Sequence, residues 1–414
     1  MACHCGRVPR TVQRLHEGPL GPYIDAFAAE MRAEGYASTL TKSQIRLVAD
    51  FSRWLANWQI PAPEITPAQF PPYLRARAQY RRPGRSDQAG LKRLWKLLRR
   101  QGVIPEPSGP PPTPVAQLQD TFRHYLRQER ALAPATLVAY LGFTGELLTA
   151  RFGTGPVDLA ALRAADVTGF VQRRAATLGS KRAHVLTTAL RAFLRFARYR
   201  GDLPTDLAAC VPAVASWALA TVPRALPPAQ VEAVLAACDR QTAMGRRDYA
   251  ILLLLARLGL RAGEVAALTL DDLDWQAGWI TVRGKGGRVC QLPLPVAVGE
   301  ALAAYVQHGR PRTASRRVFL RARAPVDGFQ NQRAVGTVVK HALAQAGIVS
   351  PRQGAHQLRH SLACQLLRQG ASLGEIGELL RHRSPQTTAL YAKVDLAALA
   401  ALAALALPWP GGVR

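Results

Sequence analysis

Apolar residues recur at helical spacing through most of this chain, and two long stretches repeat the same pattern. The stretches cover residues 23–104 and 118–204. In both, apolar positions three or four residues apart are interleaved with arginines on the opposite face, and Ser38-Thr39 or Pro134-Ala135-Thr136 mark helix starts. The pattern predicts four or five helices in each copy.

The two stretches are copies of one unit, because characteristic residues return in the same order. LWKLLRRQGVIP closes the first copy, and FLRFARYRGDLP closes the second. The corresponding pairs are Leu40 with Leu137, Tyr73 with Phe170, Arg77 with Arg174, and Pro105 with Pro204.

The last part of the chain contains the one clear β pattern. GWITVRGKGGRVCQLPL at 278–294 predicts a hairpin with Lys285 at its glycine-rich turn. A further short strand is predicted near 318–320. Helices are predicted at about 228–238, 246–258, 295–307 and 331–346, and another is predicted to begin at Leu260. Two further helices are joined at Gly370, and a short helix after them ends at Tyr391.

Proline-rich breaks divide the chain into predicted domains. PEPSGPPPTP at 105–114 cannot continue a helix and reads as a linker, and four further prolines fall within 211–228. The predicted organisation is a helical domain at 1–104, the linker at 105–114, a second helical domain at 115–210, and a third domain at 225–414 that ends in an apolar tail.

The charge of the chain indicates a polyanionic partner. Lys and Arg number 54 against 27 for Asp and Glu, a formal net charge of +27. Composition bias explains arginine in place of lysine but not the shortage of acids, so nucleic acid is the expected partner. Signal-peptide and membrane-spanning patterns are absent from the sequence, and the six cysteines are scattered, so we expect a cytoplasmic protein.

Six side chains suited to phosphate-ester chemistry follow one another through the third domain. Taken singly, each has a plainer explanation, such as a surface arginine, a solvated hairpin lysine, a structural histidine or a half-buried helix tyrosine. His360, one turn after His356, is expected to pack or hydrogen-bond rather than react. The six are Arg261, Lys285, His356, Arg359, His382 and Tyr391.

In this order, with a hairpin lysine between the arginines, the six residues resemble the signature of the tyrosine recombinases, the phage-integrase and Xer-type family. Gln357 and Arg381 depart from residues frequent in that family, but neither change removes a reacting group. The resemblance implies a mainly α fold with a small β-sheet, in which two helical SAM-like DNA-binding domains precede an α+β catalytic domain. The first helical domain would be arm-like or a duplicated core-binding domain, and the second would be the core-binding domain.

The roles of these residues follow from the chemistry of phosphodiester transesterification. Tyr391 would be the nucleophile and would conserve the bond energy as a phosphotyrosine, so neither ATP nor a metal or other cofactor is expected. Guanidinium groups of Arg261 and Arg359 match phosphate oxygens. Lys285 suits protonation of the leaving 5′ oxygen. The family pattern implies His356 as the base. His382 would hold a phosphate oxygen by a hydrogen bond. Glu264 would either orient Arg261 by ion pairing, which is the expectation, or simply continue its helix.

The expected function is site-specific recombination through a 3′-phosphotyrosine and a Holliday junction, as in integration or transposition of a mobile element. The expected partners are double-stranded DNA with specific sites and a tetramer, of this chain or with sister recombinases, in a bacterial cytoplasm at the nucleoid. A non-catalytic helix-turn-helix regulator and a type IB topoisomerase remain as alternatives. The predicted DNA-binding residues are Arg77, Arg174, Lys181, Arg191 and Arg195.

Overall fold

The computed structural model describes most of the chain, in two compact units. One unit comprises Met1–Glu106 together with Val222–Arg414, and the other comprises Pro107–Thr221. The described residues are 14–105, 112–214, 225–284, 287–350, 353–382 and 384–391.

The N-terminal helices enclose a core of their own. Phe27, Phe51 and Tyr73 are fully buried, and the Tyr73 hydroxyl donates to the carbonyl oxygen of Leu47 at 3.0 Å. The hydrogen bond allows the polar tip of this tyrosine to lie inside an apolar core. The helices are α1 (Ile24–Ala33), α2 (Ser38–Asn57), α3 (Phe70–Ala78) and α4 (Asp87–Arg100).

The second helical unit repeats this order of elements. Its core contains an aromatic cluster in which Phe122 contacts Phe193 edge-on at a centroid distance of 5.2 Å and Phe196 at 5.1 Å. An edge-to-face pair of this kind stabilises the core by more than the burial of its apolar area alone. The helices are α5 (Pro114–Gln128), α6 (Pro134–Phe152), α7 (Ala164–Ala176) and α8 (Ser180–Tyr199).

The two copies also end their last long helix in the same way. Gly102 after α4 and Gly201 after α8 have φ of +72° and +82°, the left-handed conformation that glycine adopts without strain. In each copy the following residue donates back to a carbonyl in the last turn of the helix: Val103 to Leu98 and Asp202 to Ala197, both at 3.0 Å. The repeat seen in the sequence is thus a repeat of local backbone geometry.

The third part of the chain, which shares a unit with the N-terminal helices, is built around one buried helix. Helix α10 is apolar on nearly all sides, because its residues 250–255 are all 2% exposed or less. The helices are α9 (Pro228–Ala236), α10 (Ala243–Arg257), α11 (Ala262–Ala267), α12 (Val296–His308), α13 (Arg333–Gln345), α14 (His356–Arg368), α15 (Leu373–Leu379) and α16 (Pro385–Ala389).

One antiparallel sheet in order β1-β2-β3 accompanies these helices, and it contains the predicted hairpin. Its strands are β1 (Leu273–Asp274), β2 (Trp279–Arg283) and β3 (Val289–Pro293). Strands β2 and β3 pair from Trp279 with Pro293 to Arg283 with Val289. Strand β1 was not predicted, because two residues are too short a stretch for a pattern of alternation to be visible.

The short strand predicted near 318–320 is wrong. Only isolated bridges occur there, Thr269 with Arg317 and Leu320 with Gly328. The Arg310 guanidinium donates hydrogen bonds from Nε to the carbonyl oxygens of Arg317 and Val318 at 3.1 and 3.2 Å. A side chain thus occupies acceptors that a longer ladder would need.

Within the described segments, no helix combines the length and the apolar composition required to cross a bilayer.

Candidate active site

Helix α14 brings two of the candidate side chains, together with His360, to one face. His356, Arg359 and His360 are three and four residues apart, which places them on adjacent turns of the helix. The ring centroids of His356 and His360 are 6.3 Å apart. Arg359 is 3% exposed and donates to the carbonyl oxygens of Gly259 and Leu380. Burial, with Arg261 and Arg381 nearby, lowers the pKa of Arg359 to about 10, so it remains a cation at neutral pH.

Arg261 stands at the N-cap of α11 and is held by Glu264. The Glu264 carboxylate accepts from the Arg261 backbone N–H at 2.8 Å and from its Nη1 at 2.8 Å. Gly259, just before the cap, has φ of +57°, and a Cβ there would lie 2.6 Å from a side-chain carbon of Leu380. Glycine is therefore required where this loop approaches the end of α15.

Three consecutive carbonyl groups at the C-terminal end of α15 each accept from a guanidinium. Leu379 accepts from Arg381 Nη1 at 3.3 Å, Leu380 accepts from Arg359, and Arg381 accepts from Arg261 Nη2 at 3.1 Å. A helix C-terminus leaves its last carbonyls without partners in the helix and carries partial negative charge, which suits cations. The turn before His382 thus holds Arg261 and Arg359 on neighbouring peptide groups.

Arg381 adds a third guanidinium to this cluster. Its backbone has φ of +55°, unusual for a residue other than glycine, and its Nη2 donates to Glu264 at 3.0 Å. Glu264 is 6% exposed and lies between Arg261 and Arg381. Burial raises the pKa of this carboxyl, but hydrogen bonds and charge from the two arginines outweigh burial, and the pKa is lowered overall. The carboxylate is therefore ionised in the folded chain.

His382 is held as a neutral ring beside the arginines. Its Nδ1 lies 2.7 Å from the hydroxyl oxygen of Thr388, a buried residue of α16. Burial, followed by the positive charges of Arg359 and Arg261, lowers the pKa of His382 to about 4. At neutral pH this imidazole is uncharged and has one N–H to donate.

Tyr391 lies inside this group of side chains. It is 1% exposed, and its hydroxyl oxygen is 2.8 Å from Nδ1 of His360. The ring is stacked against His382 at a centroid distance of 6.3 Å and an interplanar angle of 9°. Burial raises the pKa of the phenol to about 12, although the charge of Arg359 lowers it in part. The phenol is protonated at neutral pH, so any attack by its oxygen needs a proton acceptor.

The structure therefore brings five of the six candidate residues into one region, on α11, α14, the turn after α15 and the residues after α16. The sixth, Lys285, lies outside the described residues. The end of its hairpin does reach the site, because a Cβ added at Gly284 would lie 3.8 Å from Glu264 Oε1. The apolar tail after Tyr391 also lies outside the described residues.

Three residues at the site received no catalytic role from the sequence. His360 contacts the Tyr391 hydroxyl, Thr388 contacts His382, and Arg381 contacts Glu264. His360 stood out as the histidine following His-x-x-Arg. Arg381 stood out as a departure from the family pattern. Thr388 had no visible signal, because only the folded turn between α15 and α16 places it against an imidazole.

The predicted DNA-binding residues fall into two groups. The prediction that Arg77 contacts DNA needs correction. Arg77 is 4% exposed, and its Nη1 lies 2.7 Å from Asp87 and its Nε 3.6 Å from Asp50. A guanidinium buried in two ion pairs is a structural element and is not accessible to a phosphate. Arg174, its counterpart in the second copy, pairs with Glu146 at 2.6 Å but stays partly exposed.

The other three predicted residues lie on α8. Lys181 and Arg195 are exposed, each seven residues from Thr188, which places them along one side of the helix. Arg191 is partly buried and donates to the carbonyl oxygens of Val211 and Pro212 at 2.8 and 3.2 Å. A basic stripe of this kind suits contact with a phosphate backbone.

Comparison with known proteins agrees with the chemistry of this site. The profile of the phage integrase family matches residues 224–397. A putative integrase/recombinase, y4rA of Sinorhizobium fredii, is 49% identical over 402 residues, covering 97% of each chain. The tyrosine recombinase XerD of Mycobacterium tuberculosis is 34% identical over 68% of this chain and 94% of its own.

Solved structures show the same fold. A XerH site-specific recombinase bound to its palindromic difH substrate in a post-cleavage complex matches with a TM-score of 0.54 at 18% identity, over 69% of this chain and 84% of that one. A lambda integrase (75–356) dimer bound to a core site matches with a TM-score of 0.51 at 17% identity, over 72% and 98%. The relatives favour a recombinase over a regulator or a topoisomerase. With its mainly helical fold and small antiparallel sheet, this chain belongs to the phage integrase family and is a tyrosine site-specific recombinase.

Proposed function

We propose that this recombinase cuts and rejoins DNA with Tyr391 as nucleophile. The Tyr391 oxygen attacks phosphorus, a 3′-phosphotyrosine forms, and the 5′ oxygen leaves with a proton as a free hydroxyl. The reverse reaction with the 5′ hydroxyl of a partner strand releases the tyrosine. The 2.8 Å contact between Tyr391 and His360 is the observation that carries this proposal, because it joins the phenol to the helix of Arg359.

The first proton transfer removes the phenolic proton. A pKa near 12 leaves only about one tyrosine in 10⁵ ionised at pH 7, so a base must act during attack. We assign this role to His356, with His360 holding the phenol until the substrate binds. Because Tyr391 is 1% exposed, the ring must be uncovered before its oxygen reaches phosphorus.

Charge neutralisation is assigned to Arg261 and Arg359. Their attachment to the neighbouring carbonyls of Arg381 and Leu380 supports this role, because it keeps both guanidinium groups close enough to share one phosphate. Neutral His382 donates a hydrogen bond to a phosphate oxygen. Lys285 at the hairpin turn protonates the leaving oxygen, and Glu264 orients Arg261.

Recombination pairs two specific DNA sites, so we propose a tetramer on DNA, of this chain or with sister recombinases, acting at the nucleoid in the cytoplasm. Residues 115–210 form the core-binding domain and contact the backbone through Lys181, Arg191, Arg195 and Arg174. Residues 225–414 form the catalytic domain, and the apolar tail at 395–407 docks on a neighbouring subunit. Residues 1–104 are a further helical domain, joined through the linker at 105–114.

The test is formation of a covalent adduct on nicked duplexes drawn from DNA that flanks the gene for this chain. A nick beside the scissile bond lets the short product escape and traps the phosphotyrosine. The wild-type chain should give an adduct stable in SDS, and Tyr391→Phe should give none. Tyr199→Phe is the matched control, because Tyr199 is 80% exposed, is the last residue of α8 and has no role in the proposed chemistry. An adduct with Tyr391→Phe would refute the assignment of the nucleophile.

A further inference from the structure

Helix α4 of the N-terminal domain presents a basic face that the active site does not use. Lys92 and Lys96 lie one turn apart on this helix and are both exposed. Within the part of the chain that the structure describes, neither lysine forms an ion pair with an acidic residue. We call these two lysines the α4 face.

The α4 face borders a cleft with a volume of about 740 Å³. Two acidic residues line this cleft, and each is already neutralised: Glu34 pairs with Arg93 at 3.5 Å, and Glu30 pairs with Arg100. The remaining charge is positive. The residues that line the cleft are Glu30, Glu34, Tyr36, Ala89, Lys92, Arg93, Lys96, Arg99, Arg100 and Pro325.

The internal repeat relates the α4 face to helix α8. With Gly102 aligned on Gly201, Lys92 corresponds to Arg191 and Lys96 to Arg195. The buried positions agree with this alignment, because Leu91 and Leu190 are both 0% exposed. Arg191 and Arg195 also border a cleft in their own unit.

The exposed cations of α2 do not recur in this way. Lys42 and Arg46 on α2 are exposed and also one turn apart. With Leu40 aligned on Leu137, their counterparts are Ala139 and Phe143. Positive charge is therefore repeated at the α4 face but not at these two positions of α2.

We propose that the α4 face is a second DNA-contacting surface, which binds the sugar-phosphate backbone of double-stranded DNA. Lysines on flexible stems supply charge to phosphates without reading bases, so the contact adds affinity rather than sequence choice. A cleft of this size does not admit a duplex, so the duplex lies across its mouth with phosphates towards Lys92 and Lys96. This inference rests on the proposed function, in which the second copy contacts DNA through the equivalent positions of α8.

The test compares Lys92→Glu/Lys96→Glu with Lys42→Glu/Arg46→Glu in the full-length protein. Both double variants make the same change in charge, at the same spacing, on exposed positions of the same domain. Binding to a mixed-sequence duplex is measured by fluorescence anisotropy over a series of salt concentrations. For the α4 variant we expect affinity about tenfold lower, and a salt dependence with about two fewer released counterions. The α2 variant should stay close to wild type.

A photo-crosslinking amino acid supplies a direct second measurement. Placed at position 96, it should crosslink to DNA, and placed at position 46 it should not. Equal loss of affinity in the two charge variants, or no crosslink from position 96, would overturn the proposal. Adduct formation through Tyr391, measured at saturating protein on the nicked duplex, should be retained in the α4 variant. An absence of adduct in the wild-type chain would instead count against the proposed function.

Discussion

The hydroxyl oxygen of Tyr391 lies 2.8 Å from Nδ1 of His360, one helical turn from His356. The sequence pointed to His356 as the base, whereas the folded chain places its neighbour in contact with the nucleophile. A hydrogen bond to a buried phenol fixes where its oxygen points and leaves no polar atom unsatisfied. The two histidines therefore have separable tasks, and substitution can tell them apart.

Replacing His360 should slow cleavage without abolishing it. In His360→Leu the phenol loses the partner that directs its oxygen, so fewer complexes are aligned for attack, and the rate of adduct formation should fall by about 5- to 150-fold, equivalent to about 1–3 kcal/mol. His360→Asn keeps an amide group close to the position of Nδ1 and should recover most of the rate. Single-turnover adduct formation on the nicked duplex is the measurement. A His360→Leu rate equal to wild type would show that the contact has no part in cleavage.

His382 should make folding stability depend on pH. The pKa of its ring is lowered from 6.5 to about 4 by folding, so the unfolded chain binds a proton in this range while the folded chain does not. Stability conferred by the neutral ring is complete above pH 6.5 and declines as the pH falls towards 4. The slope stays below about 1.4 kcal/mol per pH unit, because the half-buried ring retains part of its solvation.

Urea unfolding of wild type and His382→Gln at several pH values measures this contribution. Glutamine carries an amide but does not titrate, so the variant should lack the part of the slope that His382 supplies. Thr388→Val, which removes the partner of Nδ1, tests whether the hydrogen bond maintains the neutral ring. Identical pH profiles for wild type and His382→Gln would contradict the lowered pKa.

Arg381 allows backbone strain and side-chain function to be separated. Arg381→Gly and Arg381→Ala both lose the contact with Glu264, so cleavage should fall about tenfold in both, the effect of one charge-assisted hydrogen bond. Only alanine retains the cost of a positive φ. Arg381→Ala should therefore be less stable than Arg381→Gly by about 1 kcal/mol, measured by urea unfolding.

Arg381→Lys serves as the conservative control, since it keeps a cation but not the planar fork. Partial recovery of cleavage by this variant would support an electrostatic role for the side chain. Equal stabilities of Arg381→Gly and Arg381→Ala would contradict a left-handed backbone conformation at this position.

The repeat-related arginines Arg77 and Arg174 should behave differently. Arg77→Ala leaves Asp87 buried without its cation and should cost about 3–5 kcal/mol of folding stability. Arg174→Ala removes an exposed ion pair with Glu146 and should change stability little. Thermal unfolding and DNA binding of the two variants are compared directly. Weaker DNA binding by Arg77→Ala at full folding would restore the role predicted from the sequence.

The same pair shows where a repeat pattern stops being informative. Aligned arginines looked equivalent, because the spacing of apolar positions says which side of a helix is buried but not what lies beside its edge. In the first copy Asp50 and Asp87 converge on the guanidinium, and in the second a single glutamate meets it near the surface. Such differences come from residues distant in sequence.

The helical repeats, the β2–β3 hairpin and the order of arginine, lysine, histidine, arginine, histidine and tyrosine were predictable from the amino-acid sequence, because each depends on local periodicity, turn chemistry or residue type. Which side chains meet depends instead on the folded chain. Arg261 and Arg381 are 120 positions apart, yet one guanidinium bonds to the other residue's carbonyl, and Tyr391 reaches His360 from the following helices. Contacts of this kind depend on how buried helices cross, which is a property of the packed core and not of any local pattern.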